Sequence, residues 1–300
     1  MLYGKSEVQS EIIKRVKEFE STYGKKVIFG SMVGSISKGV ERYDSDYDTR
    51  FLYLDINGNN LQRWDKISED INEVDVHKCF TPPEGLFYDK IAFWEMTSFI
   101  NYLRNPQLNG KFSVGLYHIV GWTFNSPYSW DPYGLKSKIG FLLDDMFRAD
   151  YEIQYYQNYI EACLKKEQTY MREYLYSAYY AIAIHYCVKY QRFAPVYFPT
   201  LLEFCEKKEV REEIEELQRK YYNTADLLST GNGTDYKRKM TNSIPVLRNE
   251  IIDNFLLETL MNTEEWKNKS YGQEQKDSVD QIISIIINSL QRPVVKNVNE

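Results

Sequence analysis

The sequence is poor in histidine, cysteine and proline, and it lacks any long apolar run. Each shortage closes off a class of function. The three histidines, His77, His118 and His185, form no spaced cluster, so a histidine-based metal centre has no ligand set. His77 and His185 read as structural, and His118, in "GLYHIVGW", is the one placed in an aromatic loop where it can stack. The four cysteines, Cys79, Cys163, Cys187 and Cys205, are too far apart for a close metal-ligand pair and are expected to be reduced and buried, as in an intracellular protein. No window approaches the ~20 apolar residues of a spanning helix. The run "IISIIINSL" is too short and belongs to an amphipathic helix. The opening "MLYGKSEVQSEIIKRV" has no apolar stretch of signal length, so the expected location is cytoplasmic, with no membrane partner. A cationic excess is missing too: 37 Lys and Arg face 43 Asp and Glu, a net charge of −6. That gives no support to a broad, nonspecific grip on phosphate backbones, and leaves room for a local basic patch or a substrate brought in by metal ions.

Motifs are also absent. There is no glycine fingerprint of a dinucleotide fold and no Walker lysine. No G-x-S-x-G elbow with a partner histidine is present. What remains is a chain of 300 residues, 43% hydrophobic and 27% charged, enough for a sizeable core. Tyrosine is abundant at 26, and eleven of these fall between Tyr151 and Tyr190. Such a run predicts helices packing through amphipathic rings. A base-stacking platform is the alternative use.

Periodicity divides the chain. Ile12, Ile13, Val16 and Phe19 recur at helical spacing and predict a helix over Glu7–Phe19, stopped by Gly24. "KVIFGSMV" reads as a buried strand. "GSISKGVERYDSD" is a Gly-rich connection, "YDTRFLYLDI" a second strand, and "INEVDVHKCF" a third. From Ala92 the pattern reads as helical, through "FWEMTSFINYLRNP". Helices are expected within Gly134–Glu167, at Gln168–Lys189, Leu201–Leu228, Pro245–Leu260 and Ser278–Leu290. The expected fold class is α+β: a small mixed sheet with flanking helices over residues 1–130, a helical domain over 131–290 and a tail over 291–300.

The chemistry concentrates in "VGSISKGVERYDSDYDTRFLYL". Asp46 and Asp48 are two apart, and on a strand such side chains share a face. Paired carboxylates repel one another, and a hard divalent cation removes that cost while also taking substrate phosphates. A turn cluster of Asp44, Ser45 and Asp46 is the bland alternative. Gly34 and Ser35 end the first strand, where peptide N–H groups and a hydroxyl can hold a phosphate. Lys38 follows in the connection and is expected to face solvent unless it reaches phosphate. Arg50, two residues past Asp48, can pair with that acid or reach a phosphate.

Gly34, Ser35, Gly39, Ser45, Asp46, Tyr47, Asp48, Arg50 and Phe51 together resemble the DNA polymerase β-type nucleotidyltransferase superfamily. The nearest likeness within it is to the bacterial and phage predicted nucleotidyltransferases associated with RNA repair. Gly30 and Ser31 form a second Gly-Ser pair, four residues too early, and are read as part of the strand. The likeness extends weakly to "FWEMTSFINYLRNP" and "REYLYSAYYAIAI". It implies a nucleoside triphosphate substrate, Mg²⁺ or Mn²⁺ as cofactor, and transfer of a nucleoside monophosphate to an acceptor hydroxyl with release of pyrophosphate. An RNA end, a small molecule and a protein hydroxyl are all candidate acceptors. The implied catalytic and metal-binding acids are Asp46, Asp48 and a third, for which Asp89 leads Asp75 and Glu95. Gly34, Ser35, Lys38 and Arg50 would hold the nucleotide in the cleft between the two parts. The sequence departs from the family where relatives carry charge, with Met32 for Glu, Ile36 for Arg, Ser98 for Lys and Tyr179 for Arg. The rival reading is therefore an inactive module of the same fold that senses nucleotide or binds a protein partner.

Overall fold

The computed structural model describes residues 5–41, 45, 48–54, 91–95, 123–145, 147–227 and 244–268, and part of 281–289. Helix α1 spans Lys5–Tyr23 and buries Val8, Ile12, Arg15, Val16 and Phe19 along one stripe. Gly24 stops it in the left-handed region, its N–H donating to the Glu20 carbonyl at 3.0 Å. Strand β1, Lys26–Met32, is buried at every residue after the first. A short helix α2, Gly34–Lys38, follows directly, inside what the sequence offers only as a Gly-rich connection. Strand β2, Thr49–Leu54, runs antiparallel to β1, pairing Met32 with Thr49 and Gly30 with Phe51.

Strand β3, Ile91–Glu95, lies parallel to β2 with Thr49 opposite Ile91 and Tyr53 opposite Glu95. This corrects the expectation of helix from Ala92. Five residues of Ile-Ala-Phe-Trp-Glu are too few for periodicity to separate a helix from a strand, and the open edge of β2 supplies the backbone partners. The expected strand "INEVDVHKCF" and the rest of "FWEMTSFINYLRNP" lie outside the described residues. A two-residue strand β4, Ser129–Trp130, pairs antiparallel with the other edge of β1. The sheet is thus mixed, in the order β3-β2-β1-β4, and α1 packs on β1 and β4.

The C-terminal region is largely helical: α3 Leu135–Asp145, α4 Ala149–Leu164, α5 Met171–Tyr190, α6 Phe198–Leu202, α7 Lys208–Leu227 and α8 Glu250–Asn268. The expected helix over Leu201–Leu228 is broken, because Glu203–Lys207 turns between α6 and α7. The helix expected from Pro245 starts later. Pro245 forms an isolated bridge with Tyr170, while the Asn249 side chain accepts from the N–H groups of Ile251 and Ile252 at 2.9 and 3.2 Å and caps α8. Helix α5 is the central element, with α4, α6, α7 and α8 packed around it. Its tyrosines do what the run predicts: Tyr174 and Tyr179 are buried, with their hydroxyls donating to Asp253 at 2.8 Å and to the Pro195 and Val196 carbonyls at 3.2 Å. Cys163, Cys187 and Cys205 are free thiols in the core. Among the described residues no helix is long and apolar enough to cross a membrane.

The chain divides into two compact units. One holds α1, the sheet and α3. The other holds the stretch from Ser35 into the Gly-rich connection together with α4 to α8.

Candidate functional site

In the sheet unit, the site begins where β1 ends. The Val33 N–H donates to the Asp48 carbonyl at 2.7 Å, so the ladder of β1 and β2 runs one step past the strands and fixes the backbone of Asp48. Gly34 then takes φ +71°. A Cβ on Gly34 would overlap Asp48 Oδ2 and come within 2.9 Å of the Asp48 Cβ and Cγ. The carboxylate of Asp48 therefore sits directly on the backbone of Gly34, in space that any other residue would fill. Gly30 is different. Its missing Cβ makes room for the Phe51 ring at 2.7 Å and the Ile12 methyl at 3.5 Å, so it serves the packing of β1 against the core.

Arg15 is a residue that the sequence reading passed over. It is buried on α1, and its guanidinium donates to Thr49 Oγ1 at 3.0 Å and to Glu11 at 2.7 Å. It ties α1 to the residue that follows Asp48. The signal was present, since an arginine stands inside the apolar stripe of Ile12, Val16 and Phe19. Arg50 lies on β2 opposite Ser31 and is half-buried.

Asp46, Asp75 and Asp89 lie outside the described residues. Glu95 ends β3, opposite Tyr53, five residues along β2 from Asp48. At ~3.3 Å per residue its backbone is roughly 16 Å from that of Asp48. It also stands on a strand, not on the expected helix. The N-terminal end of β3 stands beside Thr49, and in the sequence Asp89 precedes that end by two residues. Among the described residues no group of three or more His, Cys, Asp or Glu side chains stands together to hold a metal ion. The donor that is described fits one: the carboxylate of Asp48 is a hard oxygen donor, which suits Mg²⁺ or Mn²⁺, and it is held over a glycine backbone with no side chain between.

In the helical unit, α2 closes with a Schellman turn. The Gly39 N–H donates to the Ile36 carbonyl at 3.2 Å and the Val40 N–H to the Ser35 carbonyl at 3.1 Å, with Gly39 at φ +66°. Gly39 is covered by Tyr197, whose ring would meet an added Cβ. Its carbonyl accepts from the Tyr222 hydroxyl and from Gln218. Glu41 is buried beside these rings. Burial, and then the Glu41 carboxylate, push the Tyr197 phenol up, and burial pushes Tyr222 up to about 12, so both stay protonated.

Ser35 and Lys38 are both buried on α2. For Lys38 this overturns the expected solvent exposure: it is only 4% exposed. Its ammonium lies 4.9 Å from the centre of the Tyr176 ring on α5, a favourable cation–π distance. The Arg172 guanidinium lies 5.6 Å from the same ring. Sequence alone does not place Tyr176 here, because its contact with Lys38 joins segments more than 130 positions apart. Met32 and Ile36 are completely buried, and Tyr179 is 2% exposed. All three are core residues here. Ser98 and His118 lie outside the described residues, as does His77. His185 is structural: it stacks on Phe255 and bonds Thr259 at 3.1 Å.

Residues 8–75 match the family described as RlaP, the RNA repair pathway DNA polymerase beta family. YcgL of Bacillus subtilis (strain 168), an uncharacterized protein, is 21% identical over 220 residues, covering 70% of this chain and 75% of that relative. No solved structure matches the chain. The matched stretch runs from α1 past β2 and includes Gly34, Asp46 and Asp48, so a nucleotidyltransferase-like family is what this short N-terminal region is similar to.

Proposed function

We propose that the chain is a metal-dependent nucleotidyltransferase that moves a nucleoside monophosphate from a nucleoside triphosphate to an acceptor hydroxyl. The observation that carries this reading is the seat of Asp48 on the Gly34 backbone. The Asp48 carboxylate lies against a left-handed glycine at the end of a buried strand, within the region that matches the family. Asp46, Asp48 and Asp89 would hold Mg²⁺ or Mn²⁺. When bound, the metal would acidify the acceptor hydroxyl and neutralise charge on the phosphates. Ser35 would donate its hydroxyl to a distal phosphate, with Lys38 and Arg50 supplying positive charge. The acceptor oxygen bonds to the α-phosphorus as the bond to the bridging oxygen breaks. Pyrophosphate leaves, and the hydroxyl proton passes to the Asp89 carboxylate.

A labelled-nucleotide transfer assay over the common triphosphates and several acceptors, RNA ends among them, tests the reading. Label should be incorporated only with Mg²⁺ or Mn²⁺. The Asp46→Ala, Asp48→Ala double variant should lose both incorporation and metal binding while keeping its circular dichroism. Incorporation that survives in the double variant would sink the assignment.

One set of observations favours the rival reading. Met32, Ile36 and Tyr179, where the family resemblance leads one to expect charge, belong to the core. An inactive module that senses nucleotide or binds a protein partner would bind nucleotide in the same assay and transfer none.

A further inference from the structure

Helix α1 docks on the sheet through an apolar stripe of Val8, Ile12, Val16 and Phe19, and Arg15 stands inside that stripe at 4% exposure. Its Nε donates to Glu11 at 2.7 Å and its Nη1 to Thr49 Oγ1 at 3.0 Å. Glu11 lies one turn back on the same helix and keeps part of its side chain in water. Thr49 is buried. It opens β2, paired with Met32 of β1 on one side and with Ile91 of β3 on the other. Thr49 is also the residue after Asp48, and neighbouring side chains on a strand point to opposite faces. The Arg15 guanidinium therefore grips this end of β2 from the α1 face, and the Asp48 carboxylate leaves it on the other.

Asp48 is thereby fixed from three directions. Its carbonyl accepts from the Val33 N–H at 2.7 Å, its carboxylate lies on the Gly34 backbone, and the side chain that follows it is tied to α1. Burying a guanidinium is costly, and an apolar side chain in place of a buried ionic group is often neutral or stabilising. A methionine at position 15 would continue the stripe. A second polar tie from α1 gives the contrast. Glu20 accepts from the Val27 N–H at 3.0 Å, at the opposite end of β1, and its side chain is partly exposed. The Arg15 tie is deeper, and it ends next to the acid. We propose that Arg15 is a positioning residue: through Thr49 it holds the end of β2, and with it Asp48, in place for a divalent cation. The inference rests on the metal-dependent reading of that site and adds to it a residue that acts through another.

The test titrates Mn²⁺ into the full chain without nucleotide and reads free Mn²⁺ by electron paramagnetic resonance, with urea denaturation alongside. The Arg15→Met, Thr49→Val double variant removes the charge and its acceptor together. Its Mn²⁺ dissociation constant should rise about 10- to 100-fold, as when a group that orients a metal ligand is lost, while its urea midpoint stays at or above that of the parent. Thr49→Val alone should weaken Mn²⁺ binding, and Thr49→Ser, which keeps the hydroxyl, should restore it. This second comparison decides the matter if the double variant fails to fold. Glu20→Ala should lower the urea midpoint and leave the Mn²⁺ constant at the parent value. An unchanged constant in the double variant and in Thr49→Val overturns the inference. Equal weakening in Glu20→Ala does so too, because any loosening of α1 would then suffice. Asp48→Ala separates the two claims. If Asp48→Ala weakens Mn²⁺ binding and the Arg15 and Thr49 variants do not, the metal site stands and Arg15 has no part in it. If Asp48→Ala binds Mn²⁺ as the parent does, the metal reading fails and the role of Arg15 fails with it.

Discussion

At the scale of single residues, two side chains carry the sharpest consequences. Gly34 sits at φ +71° under the Asp48 carboxylate. Gly34→Ala meets a left-handed penalty of roughly 1–2 kcal/mol and must also push Asp48 aside. Nucleotide transfer should be lost while the thermal midpoint falls only modestly. Gly30→Ala, which meets the Phe51 ring, should instead lower stability through the core. Full activity in Gly34→Ala would show that Asp48 does not need its seat. The second residue is His185, packed against Phe255 and Trp266. Burial pulls its pKa down from the ordinary 6.5, against Glu258 and Glu206, which raise it, and alongside Lys207, which lowers it. The unfolded chain therefore takes up the proton at higher pH than the folded one. Stability from the neutral ring is complete above pH 6.5 and is lost as pH falls from there toward the lowered folded value. Thermal melts across pH 5–8 should show a steeper acid-side loss in the parent than in His185→Gln; identical slopes would remove His185 from the titration.

At the scale of elements, the turn that ends α2 is the point to probe. Gly39 holds the Schellman turn, is covered by Tyr197 and offers its carbonyl to Tyr222. Gly39→Ala combines a left-handed strain with an overlap on a ring, and should destabilise far more than Tyr222→Phe, which removes one hydrogen bond worth about 1 kcal/mol. Urea denaturation of both variants gives the comparison, and a mild Gly39→Ala would mean that the turn relaxes freely. The elements also show where sequence reading succeeds. Helix α1 was legible because it repeats its period against one buried face, and β1 and β2 because short apolar runs bounded by glycines and turn formers read as buried strands. Strand β3 was not, because four apolar residues and a glutamate fit either period and only the edge of β2 decides. Helix α8 starts after Pro245 because the Asn249 side chain supplies its cap, and no periodicity reports a cap.

At the scale of the whole molecule, charge sets the expectation for ligands. The net charge is −6, and Ile36 and Tyr179, where the family resemblance leads one to expect arginine, are buried. Each charge-assisted bond to phosphate contributes ~1.5–3 kcal/mol, so a site short of two cations should bind triphosphates weakly and depend strongly on metal. Calorimetry with several nucleoside triphosphates, with and without Mg²⁺, measures this. Tight binding without metal would mean that cations other than Lys38 and Arg50 hold the phosphates.

The sequence by itself determined the division into a small mixed sheet and a helical region and the packing role of the tyrosines. These follow from periods, glycine positions and ring chemistry, all local properties of the chain. Tertiary structure alone decided that Lys38 is buried, that Arg15 bonds Thr49, and that Tyr176 joins Lys38 to Arg172. Each of these is a meeting of segments distant in the chain, and the free energy of such a contact depends on which surfaces the fold brings together.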